Sequence, residues 1–317
     1  MNQAIKKKTR LPINGVLLLD KPVGWSSNDA LIKAKRLLNA IKAGHTGTLD
    51  PFATGLLPLC FGEATKFSAD LLDADKTYQT VVHLGVTTNT GDTEGETIQT
   101  REVNVNETQI RAVLEQFKGD IRQVPPMYSA LKRDGKPLYE YAREGITLER
   151  EARPVTIHLL EFVQYEAPFL TLNVRCSKGT YIRVLGEDIG NALGCGAHLN
   201  ALRRTHVGHL VLENTVTLDQ LIEMSEEQRH ALLAPVDALL SSFPEVNLND
   251  ELARRFLQGQ RISLAKEEVA HPVELGRVRV YRIDSNAGDV SGKQLLGSAQ
   301  LQEFSVLAPE RLISTAN

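Results

Sequence analysis

The chain has 317 residues, of which 42% are hydrophobic and 24% are charged. This length corresponds to about two domains, and this composition is that of a globular protein, so an intrinsically disordered chain is excluded. Lys and Arg number 36 and Asp and Glu 39, which gives a net charge of −3. That balance excludes a protein held on nucleic acid by bulk positive charge, although it permits a local basic surface.

The cysteines and the N-terminal residues indicate the compartment. Cys60, Cys176 and Cys195 are too few for a disulfide framework, which favours a reducing environment. The apolar stretch after the basic start, Val16 to Leu19, is much shorter than the roughly 7–15 residues of a secretory leader or the about 20 of a membrane span. We therefore expect a cytoplasmic protein with no membrane partner, whose residues 1–10 form a flexible basic arm.

The first half of the chain is predicted to alternate between strands and helices. GVLLLDKP, Gly15 to Pro22, has the pattern of a short buried strand, and TYQTVVHLGV, from Thr77, that of a second strand. Between them we expect a helix capped by Ser26 or Ser27. Its inner face is predicted to carry Leu31, Ala34, Leu38 and Ile41. A second helix, NETQIRAVLEQFKG, is predicted to end at Gly119, with Ile110, Val113, Leu114 and Phe117 inward.

The second half shows two more β-rich stretches, VTIHLLEFVQY and FLTLNVRC, and then a helix that Gly194 ends. Beyond residue 240 the pattern changes to one capped helix, NDELARRFLQGQ, followed by short β-rich stretches. These stretches are Arg277 to Ile283, Gln294 to Leu301 and Phe304 to Leu307. We expect a mixed α+β domain over 11–240 and a small β-rich domain over 245–317.

Two groups of residues resemble metal ligands without matching a known pattern. Asp92, Glu94 and Glu96 alternate as calcium ligands do, but the run lacks the other ligands of an EF-hand loop, so a solvated turn is favoured. Cys195 and His198 have C-x-x-H spacing, but no standard zinc pattern includes them. We therefore predict no metal site.

Residues 121–153 differ from their surroundings. Prolines interrupt the segment, periodicity is weak, and seven basic residues against five acidic ones give it a charge of +2. The rest of the chain therefore carries −5. Long, weakly structured insertions in compact domains are usually functional or disordered. We expect a mobile basic clamp without a packed helix or strand.

The densest motif is GHTGTLDPFATGLLPLCFGEATK, which runs from Gly44 to Lys66. It is not a Walker phosphate loop because no Gly-Lys-Ser/Thr ends it, and the chain has no G-x-S-x-G elbow for a serine hydrolase. One carboxylate, Asp50, precedes the rigid Pro51. The residues alone leave two interpretations open: Asp50 is a turn former or helix cap, or it is a functional acid.

This motif closely resembles the catalytic motif of the TruB family of tRNA pseudouridine synthases, which convert uridine to pseudouridine at tRNA position 55. Further matches follow in order over nearly all of residues 11–240. They are NGVLLLDKPVGWSSNDA, KTY, PPMYSALKRDGKPLYEYAREG, REARPVTI, CSKGTYIRVL and GCGAHLNALRR. The β-rich end is similar to the PUA-like RNA-binding domain of bacterial members.

The resemblance implies a role for each matching residue. Asp50 stands at the catalytic aspartate, and Arg183 at the arginine that pairs with it and that we expect to keep it charged by lowering its pKa. Tyr78 matches the tyrosine that stacks on the target base. The remaining pocket residues implied are His45, Tyr181 and Leu202. Residues 121–153 match the thumb-like insertion that grips the T-arm, with RNA contacts expected from Lys132, Arg133 and Lys136.

The family chemistry detaches uracil, turns it and rejoins it through carbon 5, so the resemblance implies no cofactor and no metal. It also implies a monomer that binds tRNA without a guide RNA. Two alternatives stay open. One is a non-catalytic tRNA-binding or tRNA-folding module, and the other is the guide-dependent subunit of the archaeal and eukaryotic branch.

Overall fold

The computed structural model describes residues 9–283 and 292–314. The basic arm predicted over residues 1–10 therefore lies almost entirely outside the described residues. A ten-stranded mixed sheet forms the centre of the molecule, and a five-stranded sheet forms its C-terminal part. The mixed α+β class predicted from the sequence is confirmed, whereas the boundaries at 11–240 and 245–317 stay predictions.

Fourteen strands precede the C-terminal sheet within the described ranges. In chain order they are β1 (Gly15–Lys21), β2 (Ala43–His45), β3 (Thr54–Phe61), β4 (Lys76–Leu84), β5 (Val86–Thr88), β6 (Thr97–Thr100), β7 (Gly119–Gln123), β8 (Lys132–Arg133), β9 (Lys136–Pro137), β10 (Arg153–Glu166), β11 (Phe169–Cys176), β12 (Ala197–Val207), β13 (Leu210–Val211) and β14 (Val216–Thr217). The large sheet has the order β14-β1-β3-β12-β4-β11-β10-β7, with β2 paired to β3 and β13 to β12.

Helices cover this sheet or connect its strands. They are α1 (Ser27–Leu37), α2 (Ser68–Leu72), α3 (Glu107–Glu115), α4 (Leu138–Arg143), α5 (Ile182–Ala192), α6 (Leu218–Glu223) and α7 (Glu226–Ala231). Helix α5 packs closely on β12 because Gly186 and Gly190 lack side chains: a Cβ at either position would lie 2.6 Å or less from Leu199 or Ala197. Across residues 9–283 and 292–314, no helix is long and apolar enough to cross a membrane.

Helix α1 begins as expected but ends early. The Ser26 hydroxyl accepts a hydrogen bond from the backbone N–H of Asp29 at 3.1 Å, which satisfies a free N–H of the first turn. The helix ends at Leu37, since Asn39 adopts a left-handed φ of 55° and turns the chain. Ile41, predicted on the inner face, lies beyond the helix and is 53% exposed, so that prediction is wrong.

Helix α3 also stops before its predicted end. Asn106 and Gln109 form a reciprocal capping box at its start. The helix ends at Glu115, and Gly119 instead opens β7 with a φ of 81°. Ile110 and Leu114 are buried as predicted, while Val113 and Phe117 are only partly buried against the core.

The C-terminal part has its own core. Its elements are β15 (Glu245–Leu248), α8 (Asp250–Leu257), β16 (Ile262–Ser263), β17 (Gly276–Ile283), β18 (Lys293–Gln302) and β19 (Val306–Leu312). The strand order is β15-β17-β18-β19-β16. Strand β19 starts later than predicted, because Phe304 and Ser305 have φ of 58° and 55° and form a turn.

Polar contacts join this part to segments that lie beside the large sheet. Arg277 forms an ion pair with Asp70 of α2, in addition to one with Glu310 of β19. The Lys66 ammonium donates to the Leu312 carbonyl at 3.0 Å. Tyr281 donates to the Asp237 carboxylate at 2.7 Å.

Residues 121–153 contain more regular structure than the sequence suggested. Strand β7 pairs with the start of β10, with Gln123 opposite Arg153. Strands β8 and β9 form a hairpin whose turn, Asp134-Gly135, has positive φ at both residues, as a tight two-residue turn requires. Helix α4 follows directly. The expectation of a segment without helix or strand is wrong, because a hairpin turn and pairing with a neighbouring strand do not depend on long apolar periodicity.

Candidate active site

Asp50 lies in the loop between β2 and β3, and its backbone is fixed from two sides. The Ser27 hydroxyl accepts from the Leu49 N–H at 2.8 Å and donates to the Leu49 carbonyl at 3.0 Å. The Pro51 carbonyl accepts from the Lys21 ammonium at 3.3 Å. These contacts hold the residues on both sides of Asp50 and leave its carboxylate 37% exposed at the mouth of the site.

Arg183, in the first turn of α5, connects this loop to two other segments. Its Nε lies 3.0 Å from Oδ2 of Asp50, and its Nη1 lies 3.5 Å from Oδ2 of Asp92. Nη1 also donates to the Thr90 carbonyl at 2.8 Å, and Nη2 to the Tyr128 carbonyl at 2.7 Å. The Arg183 side chain is only 5% exposed. A buried guanidinium with four acceptors is held in one orientation, so it presents Nε to Asp50.

The pKa of Asp50 is raised from its ordinary value. Burial is the largest cause, the charge of Arg183 opposes it, and the nearby Asp92 adds to the increase. We expected the guanidinium to lower the pKa of Asp50. The guanidinium does lower it, but the cost of burying the carboxylate exceeds the gain from the ion pair, so the net pKa of Asp50 is raised. The buried Lys21 ammonium near Asp50 has its pKa lowered to about 8, again chiefly by burial.

Tyr78 and Tyr181 lie close enough to Asp50 to sense its charge. Tyr78 is half-buried in β4, and burial raises its phenol pKa. Tyr181 precedes α5, and burial likewise raises its pKa. The side-chain amide of Gln123 fixes Tyr181 by accepting from its N–H at 3.0 Å and donating to its carbonyl at 3.3 Å. Both phenols are therefore protonated at neutral pH.

His45 and Leu202 complete the predicted set on neighbouring strands. His45 ends β2, and its pKa is lowered by burial and then by the charge of Arg204. Its Nδ1 is buried and has no hydrogen-bond partner among the residues described, and neither has the Thr46 hydroxyl. Leu202, in β12, is 7% exposed and belongs to the same core cluster as Leu49.

The basic residues predicted to contact RNA form a separate group on the β8–β9 hairpin. Lys132 and Arg133 are exposed. Lys136 pairs with Glu144 at 2.5 Å and lies over the Tyr141 ring. Within the part of the chain that the structure describes, no hydrogen bond or ion pair joins the three to Asp50 or Arg183.

Four residues of the site were not predicted from the sequence: Lys21 and Asp92 near Asp50, Arg204 against the Asp50 loop, and Gln123 against Tyr181. Asp92 was assigned to a solvated turn, which is wrong, because it is 2% exposed. Its Oδ1 accepts from the Thr90 hydroxyl at 2.6 Å and from the Glu94 N–H at 3.0 Å. The spacing of Asp92, Glu94 and Glu96 does not reveal which of the three is buried. For Arg204, the alternation Leu202–Arg204 along one strand face was an available signal.

The described residues contain no group of three or more His, Cys, Asp or Glu side chains that could hold a metal ion. The three cysteines are buried and unpaired. Burial raises the pKa of Cys60 to about 12 and that of Cys176 to about 11, so neither is a thiolate at neutral pH.

Comparisons with known proteins agree with the motif. The family model for the N-terminal domain of TruB pseudouridylate synthases matches residues 35–182, and two C-terminal models of the same family match 183–241 and 244–313. A tRNA pseudouridine synthase B from Burkholderia mallei is 61% identical over 98% of this chain and 97% of its own length. The enzyme of that name from Ralstonia pickettii is 60% identical over 97% of this chain and 96% of its length.

Among solved structures, an H/ACA RNP bound to a substrate RNA containing 2'-deoxyuridine matches with a TM-score of 0.71 at 25% identity. The match covers 94% of this chain and 84% of that one. The archaeal box H/ACA complex gives a TM-score of 0.68 at the same identity. With its motif, its fold and relatives of this identity over nearly full length, the chain belongs to the TruB family of pseudouridylate synthases.

Proposed function

We propose that the chain isomerises uridine to pseudouridine at position 55 in the T-loop of tRNA, with Asp50 as the essential group. The curated relatives are named tRNA pseudouridine synthase B, which supports tRNA as the substrate. The enzyme acts as a monomer in the cytoplasm, without a guide RNA. Its buried, unpaired cysteines are compatible with that reducing compartment.

The observation that carries the proposal is the Asp50–Arg183 ion pair. The carboxylate is partly exposed, whereas the guanidinium behind it is buried and held by backbone carbonyls. This arrangement presents one oriented carboxylate to a bound nucleotide. Because burial raises the pKa of Asp50, the ion pair with Arg183 is what favours the ionised form that the reaction needs.

The target uridine must leave the folded loop to reach Asp50, at a cost of a few kcal/mol. Stacking on an aromatic side chain returns about 1–3 kcal/mol per base. Tyr78 supplies such a ring, and Tyr181 and Leu202 supply the apolar wall of the pocket. His45 is assigned to the flipped nucleotide by its place in the motif; its Nδ1 is buried and without a partner within the described part of the chain, so this nitrogen must become accessible before it can bind the nucleotide.

The hairpin carrying Lys132, Arg133 and Lys136 grips the T-arm through phosphates. Lys132 and Arg133 are exposed and can exchange solvent for phosphate oxygens, whereas Lys136 must exchange its solvated contact with Glu144 for a phosphate. The β-rich C-terminal part, over 245–317, is a PUA-like domain that adds RNA-binding surface.

A direct test incubates the purified chain with an unmodified tRNA transcript and maps pseudouridine along it. We expect a single modified site at position 55, formed without added metal beyond the magnesium that folds tRNA. A transcript with cytidine at position 55 is the matched control and should stay unmodified. Modification elsewhere would overturn the assigned position. Tight binding without any pseudouridine would favour the non-catalytic tRNA-binding or tRNA-folding module, and activity only with an added guide RNA would favour a guide-dependent subunit.

A further inference from the structure

Arg204 is a charged side chain in the interior of the large sheet. It lies in β12 and is 1% exposed. Its Nε donates to the Leu56 carbonyl at 2.8 Å and its Nη2 to the Gly47 carbonyl at 3.1 Å. No carboxylate among the described residues forms an ion pair with it. Burying a cation whose partners are neutral is costly, so core packing alone does not explain an arginine here.

The two carbonyls lie on opposite sides of Asp50 along the chain. Gly47 precedes Asp50 by three residues, and Leu56 follows it by six. The backbone of Arg204 is pressed against the start of β3, which directly follows this loop, since a Cβ on Gly55 would lie 2.3 Å from the Arg204 carbonyl oxygen. One side chain therefore ties together both ends of the loop that carries the carboxylate.

The same side chain reaches the tyrosine assigned to the target base. Arg204 is directly opposite Tyr78 in the pairing of β12 with β4. Burial raises the pKa of the Tyr78 phenol, and the nearby charge of Arg204 is the largest effect that opposes it. Tyr78 is likewise the neighbour that opposes the effect of burial on the pKa of Arg204.

We propose that Arg204 is a positioning residue for the isomerisation, which fixes the Asp50 loop and the Tyr78 phenol relative to each other. The inference rests on the proposed function, because it assigns Asp50 and Tyr78 to the same reaction. Arg204 does not touch the nucleotide. It acts through these two groups, where a displacement of about 1 Å is enough to cost two orders of magnitude in rate.

The test compares Arg204→Lys with Arg229→Lys. Lysine keeps the charge but lacks the planar fork that reaches two carbonyls at once. Arg229 is a matched control, because it also donates to backbone carbonyls, those of Leu37, Leu221 and Ile222, and lies outside the proposed site. We expect Arg204→Lys to lower kcat about tenfold or more with KM for tRNA within about threefold, and Arg229→Lys to leave kcat unchanged.

A second arm asks whether the effect passes through Tyr78. If it does, Arg204→Lys in a Tyr78→Phe background should cost less in single-turnover rate than it costs in the wild type. The ¹³Cζ resonance of Tyr78 can be assigned because it is lost in Tyr78→Phe. Its chemical shift should change in Arg204→Lys and stay the same in Arg229→Lys. Should Arg204→Lys fail to fold, the Arg204 ¹⁵Nε resonance is compared between the wild type and Tyr78→Phe, where we expect a shift.

The outcomes separate the two proposals. Wild-type kcat in Arg204→Lys, or an unmoved Tyr78 resonance, would overturn the positioning role while the wild type still formed pseudouridine. If Arg204→Lys does not fold, an Arg204 ¹⁵Nε resonance that is the same in the wild type and in Tyr78→Phe would likewise overturn the positioning role. A wild type that formed no pseudouridine on tRNA would instead overturn the proposed function, and the positioning role with it.

Discussion

The Asp50–Arg183 cluster and the β8–β9 hairpin both concentrate charge, but they place it in opposite environments. The side chains of Arg183 and Asp92 are 5% and 3% exposed, and backbone carbonyls and the Asp50 carboxylate fix the guanidinium. On the hairpin, Lys132 and Arg133 are exposed, and the Lys136–Glu144 pair is solvated. Such exposed pairs contribute about 0–1 kcal/mol each.

This difference determines how each region should respond to substitution. Removing one member of a buried ion pair leaves the other unpaired, at a cost of roughly 3–5 kcal/mol, so the members of the cluster depend on one another. Exposed charges act nearly independently, and their effects add. The cluster should therefore control the rate of the reaction, and the hairpin should control the affinity for tRNA.

Asp50→Asn should have the largest effect, and it tests whether the Asp50–Arg183 cluster controls the rate of the reaction. We expect no detectable turnover, because the amide cannot supply the carboxylate's charge. Affinity for tRNA should stay within about tenfold, or 1.4 kcal/mol, since phosphate contacts dominate binding. Single-turnover assays and filter binding measure both quantities, with the exposed Asp73→Asn as the control. Residual activity above a few per cent of the wild type would exclude Asp50 as the essential group.

Arg183→Met should come next, with a loss of about 10²-fold in kcat from the displaced carboxylate. The pH profile sharpens the test. The charge of Arg183 lowers the pKa of Asp50, so its removal raises that pKa further. If Asp50 reacts in its ionised form, the acid limb of kcat/KM must then move to higher pH. Arg175→Met, at an exposed arginine, is the control. A near wild-type rate at pH 7, or an unmoved acid limb, would contradict the ion pair's role.

Changing Lys132, Arg133 and Lys136 together to Ala should have a smaller effect, on binding alone. The slope of the logarithm of tRNA affinity against the logarithm of salt concentration should become shallower by roughly 0.7–0.9 for each phosphate that the variant no longer neutralises. The melting temperature should change little, because the ion pair that the structure shows for these residues, Lys136–Glu144, is solvated. Unchanged affinity and slope at moderate salt would mean that the protein binds RNA through the cleft and the C-terminal part instead.

Glu187→Gln should have the smallest effect, on stability near the cluster. Burial raises the pKa of Glu187 to about 7, against the charge of Arg183. The folded state thus binds this proton more tightly than the unfolded state, so wild-type stability falls as pH rises from about 4.5 through about 7. At pH 8 the variant should be more stable by about 1–3 kcal/mol, and at pH 4 equally stable. Denaturation at both pH values checks this, with the exposed Glu115→Gln as control, and no difference at pH 8 would contradict it.

Sequence patterns predicted local elements better than contacts between distant segments. The strand at Gly15–Lys21 and the cap at Ser26 follow from apolar runs and from the first-turn N–H groups. The burial of Asp92 does not, because it depends on Arg183, which lies 91 residues further along the chain. The hairpin in 121–153 depends on a two-residue turn that an Asp-Gly pair signals, and weak periodicity obscured that signal.

In the candidate site too, some residues could be identified from motifs along the chain, whereas other features depend on packing between distant segments. The motif resemblance drew attention to Asp50, Tyr78 and Arg183, whereas composition and periodicity would assign Tyr78 and Leu202 to the core. No pattern along the chain predicted that burial would raise the pKa of Asp50, because that depends on packing from several strands. The alternation of Leu202 with Arg204 indicates that Arg204 faces inward, but its partners at Gly47 and Leu56 become visible only once β12 lies beside β3.

The most direct test of the central claim is a single-turnover measurement on unmodified tRNA with saturating enzyme. It compares the wild type, Asp50→Asn and the Lys132, Arg133 and Lys136 triple alanine variant. The division between the Asp50–Arg183 cluster and the solvated hairpin predicts that the triple variant reaches the wild-type rate once saturated, whereas Asp50→Asn forms no pseudouridine at any concentration. A triple variant whose saturated rate stays far below wild type, or an Asp50→Asn variant that turns over when saturated, would contradict it.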